Sequence, residues 1–145
     1  MHTVENVTGR LVEVRVAAPL TLDEVKQFVR EHQAAISRIP ERYVGVVDLF
    51  HADVFPVDVA QSLIELMSGM ASRVERTAFL VGESAVFAMQ IERVIRNAAN
   101  PNRRAFRDPG DLRKWLAEIL TATEAARLGE FLSHSGSIGR KESHG

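Results

Sequence analysis

The sequence predicts an α/β domain built on a largely parallel sheet. Three observations carry that prediction. Valine-rich apolar runs alternate with amphipathic stretches of helical period, in the order β-α-β-α-β-α-β-α with one further helix. The junctions are punctuated as such a chain requires, with Thr21, Ser84, Asp108 and Thr121 at helix starts and Pro40 and Pro101 near helix ends. Finally, 145 residues with 46% hydrophobic content suffice for one core and one domain.

The elements follow in order. Residues 11–16, LVEVRV, set Val12, Val14 and Val16 against Glu13 and Arg15, a strand with one wet face. Thr21 and Glu24 form a capping box before a helix whose apolar face is Val25, Phe28, Val29, His32 and Ile36. Residues 43–49 are almost wholly apolar and fit a strand covered on both faces. Pro56 suits the first turn of the next helix, with a buried stripe of Ala60, Leu63, Ile64, Met67 and Ala71. A third strand at 77–81 leads through Gly82 to Ser84 and a helix presenting Phe87, Ile91, Val94, Ile95 and Ala98, ending near Asn100-Pro101. A short strand around 104–106 precedes Asp108, Pro109 and Asp111, the opening of a helix carrying Leu112, Trp115, Leu116 and Ile119. Thr121 and Glu124 form a second capping box for a last helix over 122–132. The expectation is a four-stranded, mostly parallel sheet flanked by helices, with an extra C-terminal helix, as one domain over 1–132. Residues 133–145 read as a disordered tail.

Composition narrows the function. A formal net charge of -1 from nearly balanced charges argues against nucleic acid as a partner. The absence of cysteine excludes disulfides, thiol catalysis and cysteine-based zinc sites. No apolar run approaches the ~20 residues that span a bilayer, and the opening MHTVENVTGR is not patterned as a signal peptide, so a cytoplasmic protein is expected. His2, His32, His51, His134 and His144 form no pair at helical spacing, so neither a metal nor a cofactor is expected. His51 lies near Asp48 and Asp53, with Ser62 downstream, but Ser62 falls inside a helix rather than on a strained elbow. No catalytic residue is assigned and no enzyme is expected.

Two stretches carry a family resemblance. RVAAPLTLDEVKQFV places Ala18-Pro19-Leu20-Thr21 between the first strand and its helix. VVDLFHADVFPVDVAQSL closes a strand on Asp48-Leu49 and opens a helix on Pro56-Val57-Asp58-Val59. In order and spacing, residues 10–120 resemble the STAS family, typified by anti-sigma-factor antagonists of the SpoIIAA type. The second half, from AFLVGES to KWLAEIL, looks like the SpoIIAA-like set of bacterial proteins, many without assigned activity. The resemblance implies a STAS-like fold and a regulatory module whose partner is a protein, of kinase or anti-sigma type. In regulatory members the helix opens on D-S-S-G and its second serine is phosphorylated. Here Val57 and Asp58 stand at the two serine positions, so the resemblance does not carry the phosphorylation switch.

The candidate residues each admit two readings. Asp48, at the carboxyl edge of a buried strand, is either a ligand anchor or a shaper of the following turn. Asp53 and Asp58 either cap the second helix or face a partner. Phe50, Val54 and Phe55 are either interface anchors or a staple on the helix. The partner surface is therefore assigned to Asp48, Asp53, Phe55, Asp58 and Ser62. From Ile91 to Trp115, seven Arg and Lys stand against three acids. Arg103, Arg104 and Arg107 could hold a lipid or phosphorylated metabolite, the alternative function, or form a solvated surface. Strand alternation would separate Arg104 from Arg103 and Arg107. Leu66, off the main stripe of its helix, hints at a homodimer face.

Overall fold

The structure is a computed structural model describing residues 1–98 and 101–135. Five strands, β1 His2–Thr8, β2 Leu11–Val16, β3 Tyr43–Asp48, β4 Val74–Leu80 and β5 Arg103–Phe106, form one sheet in sequential order. Strands β2 to β5 are parallel and β1 pairs antiparallel with β2. Helices α1 Leu22–Ser37, α2 Val57–Gly69 and α3 Ala85–Asn97 are the three crossovers. Because right-handed crossovers between strands laid down in sequential order all fall on one side, these three helices cover one face of the sheet. Helices α4 Pro109–Ala117 and α5 Ala122–Ser133 follow β5 and cover the other.

The α/β architecture is the expected one, with one strand more than expected. β1 alternates between half-buried and exposed positions, and its inward row (His2, Val4, Asn6, Thr8) holds a single aliphatic residue. That row lacks the apolar alternation by which a strand is recognised. The hairpin that folds it back turns at Gly9-Arg10, where Gly9 has φ 55 and Thr8 pairs with Leu11. A side chain on Gly9 would also run into the Glu124 carboxylate.

Three local expectations are corrected. The Glu13 and Arg15 face of β2 is not wet: α5 lies over it, and Arg127 grips the buried Glu13 through two 2.7 Å bonds. At α1, Thr21 accepts the Glu24 amide, but the Glu24 carboxylate is taken by the Met1 nitrogen and by His2. Pro56 is the N-cap of α2 rather than its first residue, and Ala71 lies beyond the helix, exposed. The inward row of α2 is Val59, Ala60, Leu63, Leu66 and Met67, continued by the C-cap Met70, with Val59 alone fully buried. The second capping box, Thr121 with Glu124, is complete. The expected end of α3 at Asn100 lies outside the described residues, while the helix closes on an Ala98 cap. Of the expected tail, residues 133–135 continue the end of α5, with Ser135 buried, and 136–145 lie outside the described residues.

Candidate functional site

The junction after β3 is built by Asp48. Its Oδ1 accepts the Phe50 amide at 3.0 Å and its Oδ2 accepts Arg15 Nη1 at 2.7 Å. Arg15 donates its other nitrogen to the Phe131 carbonyl at 2.7 Å and stacks over that ring. Asp48 is therefore buried and fully occupied with tying the turn to α5. Two open hollows lie at the carboxyl ends of the strands, one beside Asp48 with Arg15, Ala17 and His51, the other lined by Phe50, Gly82, Glu83, Arg107 and Asp108.

The chain from Asp53 to Asp58 divides into an inner and an outer side. Phe55 turns inward, edge-on to Phe87 at 5.4 Å, while its amide and carbonyl are both held by the Gln90 side chain at 2.8 Å. Its burial takes it off the surface, so it serves as a staple rather than as an interface anchor. The carboxylates of Asp53 and Asp58 each accept the amide of the next residue, Val54 at 2.7 Å and Val59 at 2.8 Å. Both acids are exposed, and Asp58 sits in the first turn of α2, where the N-cap Pro56 offers no side-chain acceptor. Ser62 is half-buried in the groove between α1 and α2, and His51 lies in a different hollow beside Asp48. Leu66 is half-buried, packing against the core on one side and lining the groove between α1 and α2 on the other.

Sequence reading missed an apolar corner beside this junction. Six large apolar side chains are well exposed among the described residues, and four of them, Val54, Val57, Val86 and Met89, surround the opening turns of α2 and α3. Val57, 87% exposed, is the extreme. The Gln90 clamp holds the loop carrying Val54 against the helix carrying Val86 and Met89. Met89 is on the outside. A signal was present: Val86 and Met89 lie off the Phe87, Ile91, Val94 stripe of their helix.

The three arginines do not converge. Arg104 is exposed on the α4 side of β5, its guanidinium 5.0 Å from the Trp115 ring, and Arg107 is exposed beyond the strand. Arg103 points the other way and is 5% exposed. It enters a chamber of about 80 Å³ enclosed by the sheet and by α1, α2 and α3. Arg103 Nη2 donates to the Met67 carbonyl at 2.5 Å, in the last turn of α2, whereas Nη1 is buried without a partner. His32, also lining the chamber, leaves Nδ1 buried without a partner, and its ring stands edge-on to Tyr43 at 5.4 Å. Burial, reinforced by the Arg103 charge, pushes His32 down to about 4, so its imidazole is neutral. Burial pushes the Tyr43 hydroxyl up to about 12. The same burial lowers Arg103 from its ordinary value, yet a guanidinium stays charged.

No protein-family model matches the chain, and no curated protein matches it. Among solved structures it is similar to an uncharacterized protein of the DUF3478 family with a SpoIIAA-like fold from Shewanella loihica PV-4. The TM-score is 0.61 at 16% identity, over 79% of this chain and 93% of that one. At such identity the likeness concerns the fold, and the fold of this chain is SpoIIAA-like. Among the described residues no helix is long and apolar enough to cross a membrane.

Proposed function

We propose that the protein is a non-enzymatic regulatory module that grips a protein partner at the opening turns of α2 and α3. It would act in the manner of an anti-sigma-factor antagonist, in the cytoplasm, on a kinase-type or anti-sigma-type partner. The observation that carries this reading is the concentration of exposed apolar side chains there, Val54, Val57, Val86 and Met89, rimmed by the exposed Asp53 and Asp58. An apolar patch with a charged rim is the usual anatomy of a protein interface, and scattered single exposures would need no such explanation. The resemblance to the STAS family adds support, because it aligns Val57 and Asp58 of this corner with the serines of the regulatory members. With Val57 and Asp58 there, the surface keeps one fixed negative charge and offers no hydroxyl to a kinase at either position. Grip would then be constitutive.

The experiment compares native pull-downs of the full chain with those of Val57→Asp and Asp58→Lys, alongside thermal melting of each. The expected result is a specific partner lost from both variants while the melting temperatures stay within about 2 °C of wild type, since both side chains are exposed. Partner retention by both variants refutes the reading, and so does a loss of binding that tracks a loss of folding.

A further inference from the structure

The chamber beneath α2 poses a separate problem. Its walls are mostly aliphatic and aromatic, drawn from β2, β3 and β4 and from the inward rows of α1, α2 and α3, with Thr77 a further buried polar side chain in the lining. Into this apolar space the fold directs one guanidinium with no carboxylate partner among the described residues, and one imidazole nitrogen with no partner. Elsewhere in the protein buried charge is matched: Glu13 meets Arg127, Asp48 meets Arg15, and Glu124 meets Arg10. An unpaired cation in an apolar interior is costly, and chains rarely retain one without a counter-charge.

We infer that the chamber is a binding site for a short aliphatic monocarboxylate, whose anionic head meets Arg103 Nη1 and His32 Nδ1 and whose carbon chain lies among Leu63, Leu66, Met67 and Met70. Three features select this ligand class. A single cation calls for a single negative charge, whereas a phosphate dianion would leave charge uncompensated in apolar surroundings. A neutral imidazole can donate from Nδ1 as one tautomer, so His32 adds a hydrogen bond without adding charge. The size limits the body: an apolar cavity of about 150 Å³ accepts benzene, so the roughly 80 Å³ here takes about three non-hydrogen atoms as it stands, and a slight retreat of the wall admits acetate or propionate. Longer chains require the wall to yield further, and that wall is α2 with its C-cap, where Met67 and Met70 are flexible and the row is only half-buried beyond Val59. The site is distinct from the exposed corner and stands whether or not that corner meets a partner.

The test is a melting series on the full chain with sodium acetate, propionate, butyrate and octanoate, against sodium chloride at equal ionic strength. Propionate at saturation is expected to raise the melting temperature by about 4 °C, with octanoate weaker and chloride without effect. Arg103→Met should abolish the rise, Arg103→Lys should retain part of it, and His32→Leu should weaken the apparent affinity by about tenfold. Arg104→Met, on the opposite face, should respond as wild type. The inference is overturned if no carboxylate raises the melting temperature, if chloride matches propionate, or if Arg103→Met responds undiminished. Should Arg103→Met fail to fold, affinity unchanged in both Arg103→Lys and His32→Leu overturns it equally.

Discussion

The two faces of the sheet handle buried polar groups in opposite ways. On the face covered by α4 and α5, Leu11, Val44, Val46, Ala78, Leu80, Leu112 and Leu116 form a sealed core bordered by matched charges. Arg127 closes on Glu13, Arg15 on Asp48, and Arg10 on Glu75 and the Ile119 carbonyl. Glu124 completes its capping box and accepts the Arg10 amide at 2.7 Å as well. On the face covered by α1, α2 and α3 the core contains a chamber, and two of its polar side chains, His32 and Arg103, are left with unpartnered nitrogens. A stable fold satisfies its interior where only stability is at stake. The difference therefore separates a structural face from one shaped by something other than stability.

The harshest way to break the comparison is to unmatch a charge on the sealed face. Arg127→Met leaves the Glu13 carboxylate buried without its cation, and the melting temperature should fall by on the order of 10 °C. Adding Glu13→Met to that variant should restore most of the loss, because an apolar pair of similar volume suits this core. A double variant as unstable as the single one would mean that α5 depends on the ion pair itself.

A pH titration probes the other face. His32 is neutral when folded, with its value at about 4 against 6.5 for a free imidazole, because burial and the Arg103 charge both resist protonation. Its folded value is depressed, so the unfolded chain takes up the proton first as the pH falls. Stability tied to His32 is thus complete above pH 6.5 and drains away as the pH drops through about 4, by about 3 kcal/mol in all. Denaturant melts of wild type and His32→Leu from pH 7 to pH 4 measure it. The variant should lose about that much less over the interval; parallel curves would place the proton uptake elsewhere.

Much of the sealed face was legible in the sequence, and much of the chamber was not. Capping residues and apolar periodicity act locally, so Thr121 with Glu124, Asp108 with Asp111, and the row Leu112, Trp115, Leu116 identify α4 and α5 directly. The matched charges were invisible because they join residues distant along the chain, 33 positions apart for Arg15 and Asp48 and 114 for Glu13 and Arg127. That distance is also why LVEVRV reads as half wet. The chamber fails to show for a different reason. Its apolar residues look like ordinary core, and a missing partner leaves no pattern along a chain. Only the parity of β5, which sends Arg103 one way and Arg104 the other, could be read in advance.

Removing the unmatched charge should act in the reverse sense from Arg127→Met. Arg103→Met gives up the bond to the Met67 carbonyl, worth about 1 kcal/mol, and relieves the burial of an unpaired cation. Without any added carboxylate, the variant should be as stable as wild type or up to about 1 kcal/mol more stable. A fall of several degrees would mean that Arg103 is needed to hold the end of α2 against β5, and that the two faces follow one rule after all.

The smallest effect sharpens the comparison within a single strand. Arg104 is the neighbour of Arg103, yet its guanidinium lies in the open, 5.0 Å from the Trp115 ring and 6.0 Å from Phe106. Such an exposed contact contributes about 0.5 kcal/mol, so Arg104→Ala should lower stability by roughly that much and leave carboxylate binding intact. Two adjacent arginines would then respond with opposite signs, one loss destabilising and the other neutral or stabilising, because the pleat sends them to opposite faces. A half-unit change in free energy lies near the limit of denaturant melts, so the sign is best read from a set of replicate curves for both variants on one protein preparation. If Arg104→Ala also abolished the response to propionate, the separation of faces would not hold, and the arginines of β5 would have to be treated as one coupled group.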